Sequence, residues 1–124
     1  MENIIEETRF IMKKYNIKAN KNLGQNFLIS KEVVEKIVDC SNITKEDLVI
    51  EVGPGLGTLT AKLLERAKKV IAIELDNRMI SILNDRFVAY NNFEIINEDV
   101  LKVDLAGLIK KEKEQNNLKS AKKD

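Results

Sequence analysis

The residues best placed to do chemistry lie in Glu51-Val52-Gly53-Pro54-Gly55-Leu56-Gly57, between an apolar stretch and a helix-forming one. Glycines in such a run let the backbone turn sharply and let a ligand approach where a Cβ would collide. A glycine loop alone is weak evidence, because ordinary tight turns look the same. Two carboxylates strengthen it. Glu74 lies 17 residues beyond Gly57, at the end of a second apolar stretch, where it could accept hydrogen bonds from two ribose hydroxyls. Asp99 ends a third stretch, so all three elements would converge on the carboxyl edge of one sheet. Singly, Glu74 and Asp76 could be a helix cap with an exposed neighbour, and Asp99 could cap the next turn. Their placement at successive strand ends favours ligand binding for Glu74 and Asp99, and capping for Asp76. Glu51, just before the glycines, is expected to be an orienting carboxylate near a cofactor's charged end.

The glycine spacing separates ligand classes. A dinucleotide fingerprint, G-x-G-x-x-G, would put its third glycine at position 58, which is Thr58. No Gly-Lys-Ser/Thr follows, so the Walker loop is absent as well. The observed G-x-G-x-G suits a nucleoside-type cofactor without a pyrophosphate. Histidine is absent, which removes a Ser-His triad, His-ligated zinc and a histidine general base. No metal is expected. The single cysteine, Cys40, cannot make an internal disulfide and suits a reducing compartment. It sits among Val33, Val34, Ile37 and Val38 and is expected to be an inert packing residue.

The elements that must position these groups follow from periodicity. Ile4, Ile5, Thr8, Ile11, Met12 and Tyr15 recur at helical spacing. A turn-rich loop, Asn20 to Leu28, follows, and Ser30 is placed to cap a helix over roughly 31–40. Thr44 to Asp47 reads as a turn with a capping-type pattern. A strand is expected from Leu48 to Val52, then a helix from Thr58 with Leu59, Leu63, Leu64 and Ala67 on its apolar face. A second strand, Val70 to Leu75, leads to a helix carrying Met79, Ile80, Leu83 and Phe87. A third runs from about Phe93 to Ile96. Strand and helix alternate three times, implying parallel strands joined by right-handed crossovers and an α/β sheet of Rossmann type.

At 124 residues the chain fits one domain, and its composition, 44% apolar and 33% charged with one proline, excludes collagen-like and low-complexity classes. Apolar runs are far short of the roughly 20 residues a membrane span needs, and the N-terminus lacks a signal-type apolar core. A soluble, cytoplasmic protein is expected. The net charge of +1 conceals an uneven distribution. Six basic residues (Arg9, Lys13, Lys14, Lys18, Lys21, Lys31) and no acid fall between Thr8 and Lys31, leaving −5 for the remainder. This stretch is either a solvated face or a phosphate-facing surface. From Lys110 the sequence holds six Lys, three acids and few apolar residues, and a solvated or disordered tail is expected. The chain thus divides into 1–30, a basic helix and loop; 31–109, the α/β part; and 110–124, the tail.

Taken in order and spacing, Leu23-Gly24-Gln25-Asn26-Phe27-Leu28, the glycine loop, Ile73-Glu74-Leu75-Asp76 and Glu98-Asp99-Val100-Leu101 resemble the ribosomal RNA adenine N6-dimethyltransferases. The likeness covers nearly all of residues 1–109, and its first motif is the most telling, since generic S-adenosylmethionine enzymes lack it. The basic leader and Gly-Leu-Gly favour the bacterial small-subunit type over the macrolide-resistance type that acts on 23S RNA. The resemblance implies a Rossmann-like S-adenosylmethionine-dependent methyltransferase fold, here ending after about three parallel strands. It also implies that Asn26 and Leu28 contact the methionine end and cover the cofactor, and that the loop at Gly53 and Gly55 passes its amino-acid moiety. Glu74 would hold the ribose diol and Asp99 the adenine amino group, with Glu51, Leu75 and Val100 also at the cofactor. The implied cofactor is S-adenosylmethionine, and the implied partner is ribosomal RNA of the small subunit. The implied parent enzyme is monomeric and dimethylates two adjacent adenosines, which must leave their stack to react.

One departure is decisive. The family presents an Asn-Leu-Pro-Tyr segment to the target nitrogen, but the only proline here is Pro54. The chain therefore reads as the cofactor-binding part of such an enzyme, with no catalytic residue of its own, and is expected to lack methyl transfer by itself. Two rival readings are an RNA-binding or ribosome-assembly module built on residues 8–31, and a nicotinamide dehydrogenase fragment, which Thr58 disfavours.

Overall fold

The computed structural model describes residues 10–11, 13–15 and 31–122. After the helical residues near Ile11 come α1 (Lys31–Ser41), β1 (Leu48–Val52), α2 (Thr58–Arg66), β2 (Lys69–Ile73), α3 (Asn77–Arg86) and β3 (Phe93–Ile96). A single 3-10 turn, Val100–Lys102, then leads into α4 (Leu105–Lys122). The strands form one parallel sheet in the order β1-β2-β3. In register, Val49 lies beside Val70 and Val70 beside Phe93, while Glu51 lies beside Ala72 and Ala72 beside Ile95.

Because side chains alternate along a strand, those residues share one face. That face packs on the apolar stripes of the first three helices: Val38, then Leu63 and Leu64, then Met79, Ile82 and Leu83. Ile11 joins this core, and Tyr15 packs on it while its hydroxyl donates to Asp85 of α3. Phe87 closes the layer, edge-on to Phe93 at 5.3 Å and to Tyr90 at 5.9 Å. Fully buried leucines such as Leu64 and Leu83 each contribute about 1.5–3 kcal/mol. Ile71 and Ile73 point to the opposite face and are also buried.

Several expectations are corrected. Cys40 is exposed rather than packed. The buried stripe of α1 is Val34 and Val38, four residues apart, and position 40 is rotated about 200° from Val38. Val33 and Ile37 are likewise largely exposed. On α3 the core position is Ile82, with Ile80 only partly buried. β2 ends at Ile73, two residues before Leu75, whose side chain is exposed.

Residues 110–122, expected to be solvated or disordered, continue α4, which extends to Lys122, and Glu112 is the buried residue among the side chains described there. Its run of Lys, Glu, Gln, Leu and Ala has high helix propensity. It is anchored by Glu112, which is buried and accepts from the Lys69 ammonium at 2.9 Å, while Lys69 also pairs with Glu94 at 3.4 Å. Burial pushes the Lys69 proton affinity down, but its two carboxylate partners outweigh that and raise it. Asn26, Phe27, Leu28 and Ser30 lie outside the described residues. Among the described residues, no helix is long and apolar enough to cross a membrane.

Candidate cofactor site

The glycine loop follows β1 and is reached from the end of β2 through Glu74, while the end of β3 reaches Glu74 through Asn97. Gly53, Gly55 and Gly57 have φ values of 66°, 59° and 88°, a region that side chains with a Cβ disfavour. The Gly53 N–H still donates to Ile73 at 2.9 Å, continuing the ladder as the chain turns. The Gly57 N–H donates to Pro54 at 3.0 Å and closes the turn. Gly57 then starts α2, where a Cβ would lie 2.6 Å from the Phe87 ring and 3.0 Å from Leu83. Among the described residues, by contrast, a Cβ at Gly53 would meet nothing within 4 Å. The two glycines thus serve different ends: one admits core packing, the other leaves space over the loop.

Glu74 ties this loop to β2. Its Oε1 accepts from the Gly55 N–H at 3.3 Å, and Oε2 accepts from the Asp76 N–H at 3.0 Å. Each oxygen offers two lone-pair directions, so the carboxylate can take further donors from a ligand. Leu75 stands exposed beside it. Asp76 caps α3 as expected, accepting from the Arg78 N–H at 2.9 Å, and its carboxylate also holds the Arg78 guanidinium at 2.6 Å. Asp99 performs the bland role considered for it: Oδ1 accepts from the Leu101 N–H at 3.0 Å and caps the 3-10 turn. That cap also fixes the position of Asp99 and Val100 at the end of β3.

Glu51 is buried at the end of β1, and its carboxylate accepts a short hydrogen bond from the fully buried Thr60 hydroxyl of α2. Burial pushes its carboxyl up to about 7; the Thr60 bond works against this, and the negative charge of Glu74 adds to it. Glu51, Gly53, Gly55, Glu74, Leu75, Asp99 and Val100 therefore sit along one edge of the sheet. A nucleoside cofactor is compatible with this edge on two counts, the space over Gly53 and the remaining acceptor capacity of Glu74.

Three supports escaped sequence reasoning. Thr60 could have been found, because it is a hydroxyl on the same helical stripe as Leu63 and Leu64. Arg86 donates to the Leu56 carbonyl inside the loop. The Asn97 amide donates to the carbonyls of Glu74 at 2.9 Å and Leu75 at 3.4 Å. These last two contacts span 30 and 22–23 residues, and no local pattern signals them.

Parallel strands joined through helices, with a glycine loop and an acidic residue at successive strand ends, define a Rossmann-like methyltransferase domain. The pattern of the family described as "Ribosomal RNA adenine dimethylase" matches residues 16–121. The chain belongs to that family. It is 55% identical over 102 residues to the Ribosomal RNA small subunit methyltransferase A of Clostridium botulinum strain Loch Maree, covering 82% of this chain and 37% of that protein. Among solved structures it is similar to a dimethyladenosine transferase from Plasmodium falciparum, with TM-score 0.60 and 41% identity. That match covers 63% of this chain and 29% of the other. It is also similar to the 23S rRNA methyltransferase ErmE, with TM-score 0.59 and 32% identity over 63% of this chain and 32% of the other. The chain thus spans little more than a third of the length of the curated relatives it matches.

Proposed function

We propose that this chain binds S-adenosylmethionine at the carboxyl edge of its sheet and forms the cofactor-binding part of a small-subunit ribosomal RNA adenine N6-dimethyltransferase. The observation that carries the reading is Glu74, a buried carboxylate at the end of β2 that grips the loop through Gly55 beside the open space over Gly53. When bound, the cofactor would supply an electrophilic methyl group on a sulfonium.

The chain's own residues would do the rest. Glu74 would accept from the ribose hydroxyls, and Asp99 from the adenine amino group, with Leu75 and Val100 as the apolar walls. Gly53 and Gly55 would let the backbone lie close to the amino-acid moiety, with Glu51 near its charged end. Asn26 and Leu28 would cover the site. The identity of 55% to a small-subunit enzyme, against 32% to the 23S enzyme, favours the small-subunit RNA as the parent's target. A cytoplasmic location follows from that substrate.

Calorimetric titration with S-adenosylmethionine tests the reading, with Glu74→Ala as the control. Saturable binding that the control weakens by about tenfold or more is the expected result, since it removes hydrogen bonds to a charged group. No binding to a chain that circular dichroism shows to be folded would count against it.

A further inference from the structure

A hydroxyl on the core-facing stripe of a helix is costly unless it finds a partner. Thr60 is fully buried on the same face of α2 as Leu63 and Leu64, and its partner is Oε1 of Glu51. The hydroxyl donates, so the carboxylate is held in one orientation two residues before Gly53, where the chain turns beneath open space. Among the described residues, the charged group that bears on Glu51 is Glu74, from the end of β2, while α2 faces it with Thr60, which does not titrate.

We propose that Thr60 is a positioning residue: by fixing Glu51 it lets the site take up the cationic end of S-adenosylmethionine with release of a proton from the Glu51 carboxyl. The inference rests on the cofactor reading above. Burial and the charge of Glu74 leave the Glu51 carboxyl at about 7, so near neutrality it carries its proton part of the time. An ammonium or sulfonium arriving beside it favours the carboxylate. The carboxyl O–H bond then breaks and the proton passes to solvent. The bond from Thr60 acts in the same direction, because it stabilises the charged form.

Two measurements on the 124-residue chain test this. The first follows the Glu51 carboxyl carbon by NMR across pH without cofactor, in the wild type, Thr60→Val and Thr60→Ser. Thr60→Val is expected to move the midpoint upward, and Thr60→Ser to return it toward the wild type. An unmoved midpoint in the valine variant, or serine behaving like valine, overturns the inference. The second is calorimetry with S-adenosylmethionine near pH 6.5, below the Glu51 midpoint, in buffers of different ionisation enthalpy. The wild-type heat should depend on the buffer and the Glu51→Gln heat should not. Thr60→Val should bind about tenfold more weakly there, with the gap closing as pH rises and serine restoring it.

Wild-type binding whose heat is independent of buffer overturns the inference and leaves the cofactor reading intact. A folded wild type that binds no S-adenosylmethionine, while the midpoint still moves in the valine variant, overturns the cofactor reading and with it the role of Thr60 in binding.

Discussion

Replacing Glu51 by Gln should stabilise this protein at high pH and leave it unchanged in acid. Glu51 is 8% exposed, and its carboxyl is pushed up to about 7 from an ordinary value of 4.5, mainly by burial. A folded state that holds the proton more tightly than the unfolded state is favoured at low pH. That contribution is therefore fully present below about 4.5 and is lost as pH rises through about 7. At about 1.4 kcal/mol for each tenfold change in proton affinity, the loss comes to about 3 kcal/mol. Gln is isosteric and neutral, and its amide oxygen can still accept from Thr60, so it escapes the loss. Urea unfolding of both proteins at several pH values reads the difference directly. The curves should coincide near pH 4.5, and above about pH 8 the variant should be more stable by about 2–3 kcal/mol, about 10 °C in Tm. A difference that stays constant with pH, or a variant weaker than wild type at high pH, would refute the reasoning.

Gly57→Ala should cost about 2–4 kcal/mol, since it combines a left-handed φ with a Cβ driven into Phe87 and Leu83. Gly53→Ala should cost only the conformational strain, about 1–2 kcal/mol, yet impair S-adenosylmethionine binding; thermal melts and calorimetry separate the two. Lys69→Met leaves the buried Glu112 without its cation and should destabilise the chain by about 1–3 kcal/mol. Hydrogen exchange should then quicken in α4 before β2. The 124-residue polypeptide should transfer no methyl group to unmodified small-subunit RNA, because its sequence contains no Asn-Leu-Pro-Tyr segment; labelled product in a filter assay would contradict this.

Much of the α/β frame could be read directly from residue order. Leu48–Val52 and Phe93–Ile96 have the expected bounds, and Asp76 caps the helix it was expected to cap. Such features are local: apolar period, glycine spacing and a side-chain oxygen near free N–H groups are all written within a few neighbouring residues. Composition was silent at one place and misled at another, both where the environment comes from afar. Residues 110–116 are as exposed as their composition suggests apart from Glu112 and partly buried Asn116, and what the string does not show is that α4 is tied to the sheet by Lys69, 43 positions from Glu112. Cys40 looks apolar by its neighbours, but only the packing of α1 decides which side of that helix is covered.

The sequence by itself determined the order of elements, the positive-φ loop that only glycines allow at low cost, and which carboxylates end which strands. The tertiary structure alone decided what those carboxylates do. Glu51 became a proton-holding group because packing buried it and the pairing of β2 with β1 set Glu74 nearby, with the Thr60 bond working against both. Glu74 became a strap on the loop because β2 pairs with β1 in a register that brings it to Gly55. Proton affinity and hydrogen-bond partnership depend on what surrounds a group in space, and that is set by packing between residues far apart in the chain.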